Sequence, residues 1–130
     1  MNRSVADPGR FGRVAVLMGG DSAEREISLR SGSAVLEALQ SAGVDAHGVD
    51  KAPDVIDRIR EGGFDRAWLA LHGRGGEDGA MQGALETLGV PYTGSGVAGS
   101  AIAMDKLRSK QLFRAWGLET PGWALMESAG

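Results

Sequence analysis

The stretch Met18–Gly32, MGGDSAEREISLRSG, connects a short apolar run to a helical pattern. The run Val14–Met18 is apolar throughout, as in a parallel strand that is buried on both faces. A strand, a Gly-Gly turn and a helix form the outline of a phosphate-binding unit. The loop nevertheless carries three carboxylates, at Asp21, Glu24 and Glu26. This charge disfavours a phosphate and raises the question of what the loop binds.

The rest of the chain alternates between strand and helix patterns. Further strands are predicted at residues 44–49, 67–71 and 90–93, and helices lie between and after them. The first helix is predicted to bury an apolar stripe of Ile27, Ala34, Val35, Ala38 and Leu39. Strands separated by single helices favour right-handed crossovers. We therefore expect an α/β fold, a Rossmann-like domain with a parallel sheet of about four strands flanked by helices.

Composition narrows the classes of function. The chain has 130 residues, 42% of them hydrophobic, which suffices for one domain with its own core. The net charge of −3 disfavours nucleic acid or an anionic membrane as partner, and no apolar segment approaches the roughly 20 residues of a membrane span. The absence of cysteine excludes disulfides, zinc–thiolate sites and thiol catalysis, and is compatible with a cytoplasmic location.

The first glycine loop leaves two interpretations open. It matches neither G-x-G-x-x-G nor a GK[ST] arrangement, so a nucleotide phosphate site has little support. Asp21 could be a helix N-cap with Glu24 as its partner in a capping box. Alternatively, Glu24 faces a crevice and pairs with a cationic group such as an amine. Glu26 is expected at the surface, where it would pair with Arg30.

A second loop, HGRGGEDGAMQG at His72–Gly83, follows a buried strand. Its histidine could donate a proton or a hydrogen bond, or be structural. Four glycines within eight residues favour a site, because they open backbone amides towards an anion. With His47 as the only other histidine, no metal site is expected. Asp78 is expected to cap the next helix, whereas the roles of Glu77 and Arg74 stay open.

Three loops are predicted to converge. The segments 19–23, 72–79 and 93–96 all follow strands, and in parallel sheets ligands bind beyond the carboxyl ends of the strands. A third cluster, MDKLRSK at Met104–Lys110, places Lys106 in the first turn of a helix, where the dipole disfavours a cation. This position suggests that Lys106 reaches an anion, although a solvated helix face is the simpler interpretation.

HGRGGEDGAMQG resembles the signature H-G-x-x-G-E-D-G-x-[apolar]-Q-G of the D-alanine–D-alanine ligases. The segments GGDSAEREISLRSG, PYTGSG and MDKLRSK also resemble that family, in the same order. The resemblance extends from Arg13 onward. It implies a substrate-binding pre-ATP-grasp domain at 13–118, and at 119–130 a hinge and the start of a central ATP-grasp domain that is missing. Residues 1–12, which lack the apolar stretch of a secretion signal, are expected to form a flexible tail.

The resemblance implies a function for named residues. Enzymes of this family use ATP to phosphorylate the carboxylate of one D-alanine, and the amine of a second D-alanine then attacks, for peptidoglycan synthesis. Glu24 matches the glutamate that holds the ammonium of the first D-alanine, and Ile27 matches an apolar residue of the same subsite. His72, followed by Gly73, matches a histidine beside the carboxylate and the reacting phosphate. Lys106 matches a lysine that contacts an ATP phosphate.

The resemblance also implies cofactors, a homodimer and a limit on the activity of this chain alone. ATP and Mg²⁺ are the expected cofactors of the full-length enzyme, with their principal ligands beyond Gly130, so the chain alone is expected to be inactive. A cytoplasmic homodimer, formed through this domain, is expected. Alternatives are a domain of a D-alanine–D-lactate or D-alanine–D-serine ligase, or a non-catalytic amino-acid- or nucleotide-binding module. A dinucleotide-dependent oxidoreductase has least support, with Asp50 as its only candidate ribose ligand.

Overall fold

The computed structural model describes residues 7–126. A short 3-10 helix, Pro8–Phe11, precedes the first strand. Three strands and five α-helices follow: β1 Arg13–Met18, α1 Arg25–Ser41, β2 Asp45–Asp50, α2 Val55–Glu61, β3 Arg66–Leu69, α3 Ala80–Thr87, α4 Val97–Met104 and α5 Lys106–Ala115. This order confirms the predicted alternation of strands and helices.

The strands form one parallel sheet in the order β2-β1-β3. Met18 is paired with Asp50, and Leu17 with Leu69, so the carboxyl ends of all three strands lie at the same edge. The predicted α/β class with a parallel sheet is therefore confirmed. β1 is the central strand because its side chains are apolar on both faces of the sheet. Val14 to Met18 are all buried.

The predicted fourth strand is reduced to a single bridge between Ala67 and Tyr92. The amide of Ala67 donates to the carbonyl of Pro91 at 2.8 Å, and the amide of Thr93 donates to the carbonyl of Ala67 at 3.1 Å. Pro91 has no amide to donate. The next amide, that of Leu69, donates to the Thr93 hydroxyl at 3.0 Å instead of to a backbone carbonyl. A proline and a competing side chain thus end this strand early.

The segment expected to be a flexible tail, residues 1–12, is described from Asp7 onward. Residues 1–6 lie outside the described residues. From Asp7 onward the chain is ordered by local and tertiary contacts: the Asp7 carboxylate accepts from the amide of Gly9 at 3.1 Å, and Phe11 packs against the core. Arg66 donates to the Phe11 carbonyl at 2.6 Å. The Phe11 side chain and the hydrogen bond from Arg66 hold this segment against the sheet.

The two faces of the sheet carry separate clusters. Val14, Val16 and Met18 face α1, whereas Ala15 and Leu17 face α2 and α3. This division follows from the alternation of side chains along β1. The α1 partners are Leu29, Val35, Leu36 and Leu39, and the buried partners on the other face include Val55, Ile59, Met81 and Leu85.

The predicted apolar stripe of α1 is only partly correct. Val35 and Leu39 pack against the sheet, but Ala34 and Ala38 are exposed and Ile27 is 54% exposed. The fully buried residues of this helix are small: Ser28 and Gly32. A Cβ atom on Gly32 would lie 2.5 Å from the Cβ of Met18, closer than real side chains approach. α1 therefore packs tightly on β1 through two small residues, Ser28 and Gly32, which a hydrophobic pattern does not identify.

The segment after residue 96 differs from the rest. α4 packs on α3 and α5, and its N-terminal neighbour Gly96 leads out of the predicted third loop. Large apolar side chains are exposed along this part of the chain: Val97, Met104, Leu112, Phe113, Trp116, Leu118 and Trp123. Within residues 7–126, no helix combines the length and the hydropathy that crossing a membrane requires.

We predict that Gly32→Ala destabilises the chain by about 1–3 kcal/mol, because the added methyl group has to displace Met18. Chemical denaturation measures this. Gly83→Ala in α3 is the matched control, since the nearest atom to its new Cβ lies 3.7 Å away. The control is expected to keep or gain stability, by up to about 1 kcal/mol, through helix propensity. Equal effects of both substitutions would contradict the packing constraint.

Candidate functional site

The loops that leave β1 and β3 meet at the carboxyl edge of the sheet, as predicted. Ser22, in the first loop, donates its hydroxyl to the carbonyl of His72 at 2.9 Å. The same hydroxyl oxygen accepts from the amide of Glu24 at 3.2 Å. Ser22 therefore fixes the start of α1 and the start of the second loop to each other.

A buried serine makes a second junction just behind this one. The Ser28 side chain is fully buried and donates to the carbonyl of Ala70 at 2.6 Å. It accepts from the amide of Gly19 at 2.9 Å. The residues that follow β1 and β3 would otherwise have a buried amide and a buried carbonyl without a partner at this point. One hydroxyl from α1 satisfies both.

Glu24 and His72, the two predicted catalytic residues, lie close together. Glu24 is exposed at the N-cap of α1, and its carboxylate lies opposite Gly73. A Cβ atom on Gly73 would be 2.7 Å from Glu24 Oε2. Gly73 has a φ of 70°, which favours glycine. The absence of a side chain at Gly73 thus lets the Glu24 carboxylate lie directly against the histidine loop.

His72 is partly buried and its ring is held on one side. Nε2 lies 3.0 Å from the hydroxyl of Ser31, on α1. Nδ1 lies 3.8 Å from Glu77 Oε1, which is too long for a hydrogen bond but close enough for attraction if the ring is charged. The imidazole is therefore bound to α1 through one nitrogen, whereas the other faces a carboxylate.

The predicted capping box is wrong. α1 begins at Arg25 with Glu24 as N-cap, and neither Asp21 nor Glu24 caps it with a carboxylate. Asp21 instead accepts from Lys51 Nζ at 2.8 Å, and this hydrogen bond lowers the pKa of Asp21. Glu26 is exposed as expected, but its predicted ion pair with Arg30 is not found among residues 7–126. With Asp21 engaged by a lysine, Glu24 is left without a capping role.

The glycine loop satisfies its own amides, contrary to the expectation that they open towards an anion. The amide of Gly73 donates to Glu77 at 2.7 Å, and that of Gly75 donates to Asp78 at 2.8 Å. The Gly75 amide is the main cause of a lowered pKa for Asp78. Asp78 also accepts from the amide of Ala80 at 3.1 Å and so caps α3, as predicted. Glu77 and Asp78 therefore shape the loop.

The same loop is fixed from behind by a buried amide side chain. Gln82 donates to the carbonyl of Gly76 at 2.9 Å. Arg74 points outward and is exposed. In the part of the chain that the structure describes, no group of three histidine, cysteine, aspartate or glutamate side chains is arranged to hold a metal ion.

The other predicted site residues lie farther along the chain. Ile27 is on the first turn of α1, half exposed, and Lys106 is the exposed first residue of α5. Asp105 caps that helix by accepting from the amide of Arg108 at 2.9 Å. α5 packs on α4. The start of α4, directly after the third loop, lies against the end of the second loop, where a Cβ on Gly79 would be 2.8 Å from the carbonyl oxygen of Val97.

An ion pair that the sequence analysis missed supports the first loop. Arg25 binds Asp50 with both terminal nitrogens, at 2.8 and 2.5 Å, and donates to the carbonyl of Gly20 at 2.9 Å. Asp50 also accepts from the amide of Gly20 at 3.2 Å. Chiefly because of the bond from Arg25, the pKa of Asp50 falls to about 2. Asp50 thus holds the turn and is engaged by the protein itself.

The sequence interpretation did not predict Ser22, Ser28 or Ser31 as parts of the site. A signal is present for two of them: residues 24, 28 and 31 follow the i, i+4, i+7 spacing of one helix face. This polar periodicity groups Ser28 and Ser31 with Glu24.

Comparison with known proteins identifies similar chains. A family model described as D-ala D-ala ligase N-terminus matches residues 48–95. The chain is 60% identical over 126 residues to the D-alanine–D-alanine ligase of Stutzerimonas stutzeri, covering 97% of this chain and 40% of that protein. It is 63% identical over 117 residues to the ligase of Aromatoleum aromaticum, covering 90% and 38%. The chain therefore spans about 40% of the length of these curated relatives.

Solved structures agree with this similarity. The crystal structure of a D-alanine–D-alanine ligase from Bacillus anthracis complexed with ATP superposes with a TM-score of 0.81 at 39% identity, covering 91% of this chain and 41% of that one. The ligase from Aeromonas hydrophila gives a TM-score of 0.77 at 27% identity, with 87% and 49% covered. The similarity thus includes the fold as well as the sequence.

We predict that Ser28→Ala lowers the free energy of unfolding by about 1–3 kcal/mol, because two buried backbone groups lose their partner. Urea denaturation followed by circular dichroism measures it. Ser33→Ala, on the exposed side of the same helix, is the control and is expected to change little. If Ser33→Ala lowered the free energy of unfolding as much as Ser28→Ala, the stabilising role of the two Ser28 hydrogen bonds would be refuted.

We predict that Asp50→Asn lowers the urea midpoint at neutral pH and that this difference shrinks in acid. A carboxylate whose folded pKa is depressed stabilises fully above its unfolded pKa of 3.8, and this stabilisation is lost as the pH falls through about 2. The difference should therefore shrink below the unfolded pKa of 3.8, and wild type and variant should converge below about pH 2. Asp57→Asn, which removes a more exposed ion pair with Arg60, is the control and should have a smaller effect. A constant difference at all pH values would contradict this.

Proposed function

Because this chain belongs to the D-alanine–D-alanine ligase family, whose amino-terminal domain it matches, we propose that it forms the substrate domain of such a ligase. The reaction joins two D-alanines with ATP through a D-alanyl phosphate, for peptidoglycan. The observation that supports this proposal most directly is the position of the Glu24 carboxylate, which faces Gly73 and the His72 loop. An amino acid carries an ammonium and a carboxylate, and this site presents groups that suit each end.

Glu24 is proposed to hold the ammonium of the first D-alanine. Its carboxylate is exposed at the carboxyl edge of the sheet and makes no capping bond. A buried or shielded carboxylate–ammonium contact forms a charge-assisted hydrogen bond, stronger than a neutral one. Neighbouring Asp21 cannot serve equally well, because Lys51 already neutralises it. Glu24 is therefore the carboxylate of this loop that is available to a cationic ligand.

His72 is proposed to lie beside the substrate carboxylate and the transferred phosphoryl group. Its Nε2 is occupied by Ser31, so Nδ1 is the ring atom left for a ligand. Gly73, which lacks a side chain, allows the ligand and Glu24 to approach the same point. Ile27 is proposed to line the subsite from the first turn of α1, half exposed and therefore available. Positioning and charge stabilisation of this kind account for much of the catalysis of group transfer.

ATP and Mg²⁺ are the proposed cosubstrate and cofactor of the complete enzyme. The Bacillus anthracis relative was crystallised with ATP. Lys106 is proposed to contact an ATP phosphate, since it is exposed at the start of α5 and no ion pair within residues 7–126 engages it. We propose that the principal ligands of ATP and Mg²⁺ come from the remaining 60% or so of the relatives' length. The enzyme is proposed to act in the cytoplasm, where ATP is available.

We propose the domain division accordingly: a substrate domain at 13–118, and a hinge and start of a central ATP-grasp domain at 119–130. Support comes from the exposed apolar side chains near this boundary, including Phe113, Trp116 and Leu118. Contiguous exposed apolar surface of this kind is typical of an interface. A homodimer through the 13–118 domain belongs to the same proposal, by analogy with the family.

The test is a chimera in which this chain replaces the matching segment of the Stutzerimonas stutzeri ligase. With ATP and Mg²⁺, the chimera is expected to release phosphate in a D-alanine-dependent manner and to form D-alanyl-D-alanine. D-lactate and D-serine serve as competing second substrates. Absence of D-alanine-dependent phosphate release from a folded chimera would overturn the proposed function.

We predict that Glu24→Gln in this chimera raises the KM for the first D-alanine and lowers kcat/KM by about 10- to 100-fold, the effect of losing one charge-assisted hydrogen bond. Steady-state kinetics at varied D-alanine concentration measure this. Glu26→Gln removes the same charge two residues away, on an exposed side chain, and is expected to leave the kinetics unchanged. Equal kinetic effects of the two substitutions would show that Glu24 is a surface residue without a specific role in binding D-alanine.

A further inference from the structure

The histidine loop depends on α1 for the orientation of its ring. His72 follows β3, yet its Nε2 is bound by Ser31, which lies on the second turn of α1 at 3.0 Å. This contact joins residues 41 positions apart in sequence. Ser31 is partly buried, so solvent does not readily replace its hydroxyl. None of the site roles discussed above assigns a task to this serine.

The direction of the hydrogen bond follows from counting protons. A serine hydroxyl has one proton, and that of Ser31 reaches the carbonyl of Ser28 at 3.2 Å. Its lone pairs are then free to accept from His72, so Nε2 carries the ring proton. In the reverse arrangement, Nδ1–H would face Glu77 at 3.8 Å, beyond hydrogen-bond distance. The Nε2–H form of the ring therefore makes more hydrogen bonds than the Nδ1–H form.

We propose that Ser31 is a positioning residue that holds His72 in the Nε2–H tautomer and thereby makes Nδ1 the nitrogen that serves the substrate. In this neutral form Nδ1 carries the lone pair; a proton taken from solvent then binds at Nδ1, and the resulting N–H donates a hydrogen bond to the substrate carboxylate or the phosphoryl group. The substrate identity rests on the proposed function. The tautomer does not, because it follows from contacts within this chain.

The placement of Ser31 explains how one helix organises the site. Glu24, Ser28 and Ser31 lie on one face of α1, at the i, i+4, i+7 positions. Glu24 faces the ligand, Ser28 joins the ends of β1 and β3, and Ser31 orients the imidazole. The amine-binding carboxylate and the histidine therefore share a rigid support, and their separation is set by helix geometry.

Nitrogen-15 NMR of the labelled chain tests the tautomer directly. At about pH 8, above the ordinary histidine pKa, long-range ¹H–¹⁵N correlations distinguish Nε2–H from Nδ1–H. We expect His72 in the Nε2–H form in the wild type and in Ser33→Ala, and a shift towards a mixture in Ser31→Ala. Ser31→Thr retains a hydroxyl and should restore the Nε2–H form. A wild-type Nδ1–H form, or an unchanged His72 signal in Ser31→Ala, would overturn the assignment.

Kinetics in the chimera test the consequence for the reaction. Ser31→Ala is expected to lower kcat/KM on the order of tenfold, the effect of losing one hydrogen bond that orients the ring. Ser33→Ala should match the unsubstituted chimera, and Ser31→Thr should recover most of the loss. Unchanged kinetics in Ser31→Ala would refute the positioning role. An inactive unsubstituted chimera would instead refute the proposed function, and the NMR result would still decide the tautomer.

Discussion

The site depends on the two hydrogen bonds that the Ser28 hydroxyl makes. From a fully buried position on α1 it bonds both the amide after β1 and the carbonyl after β3, and so joins three elements at one point. The packing of α1 on β1 at Gly32 brings the helix close enough for this contact. Because the junction is buried, it is not weakened by competition with water. The loops beyond it start from fixed positions.

The site is organised before any ligand arrives. The Gly19–Gly20 turn is held by the Arg25–Asp50 pair, and the histidine loop is held by its own carboxylates and by Gln82. Most polar groups of the two loops are therefore engaged within the protein. The Glu24 carboxylate is exposed, makes no capping bond and lies against Gly73. An available carboxylate favours a ligand of opposite charge.

Local rules failed where tertiary partners competed with them. The spacing of Asp21 and Glu24 fits a capping box, but Lys51, thirty residues away in sequence, binds Asp21. Glycines of the second loop could offer amides to an anion, yet Glu77 and Asp78 take those amides first. At Asp21, a side chain brought in by the fold offered a charge-assisted bond in place of the local cap, and short-range spacing does not identify that partner. In the second loop the competing carboxylates lie only three and four residues from the glycines, and the conformation of the loop decides that they take these amides.

The sequence by itself determined the α/β class, the order of the elements and the two loops that form the site, because these follow from hydrophobic periodicity and glycine punctuation. It also placed Glu24 and His72 at the ends of the correct elements. The tertiary structure alone decided which face of α1 is buried, that the fourth strand shrinks to one bridge at Tyr92, and which partner each polar group takes. Those outcomes depend on packing distances and on contacts between residues far apart in the chain, which periodicity does not encode.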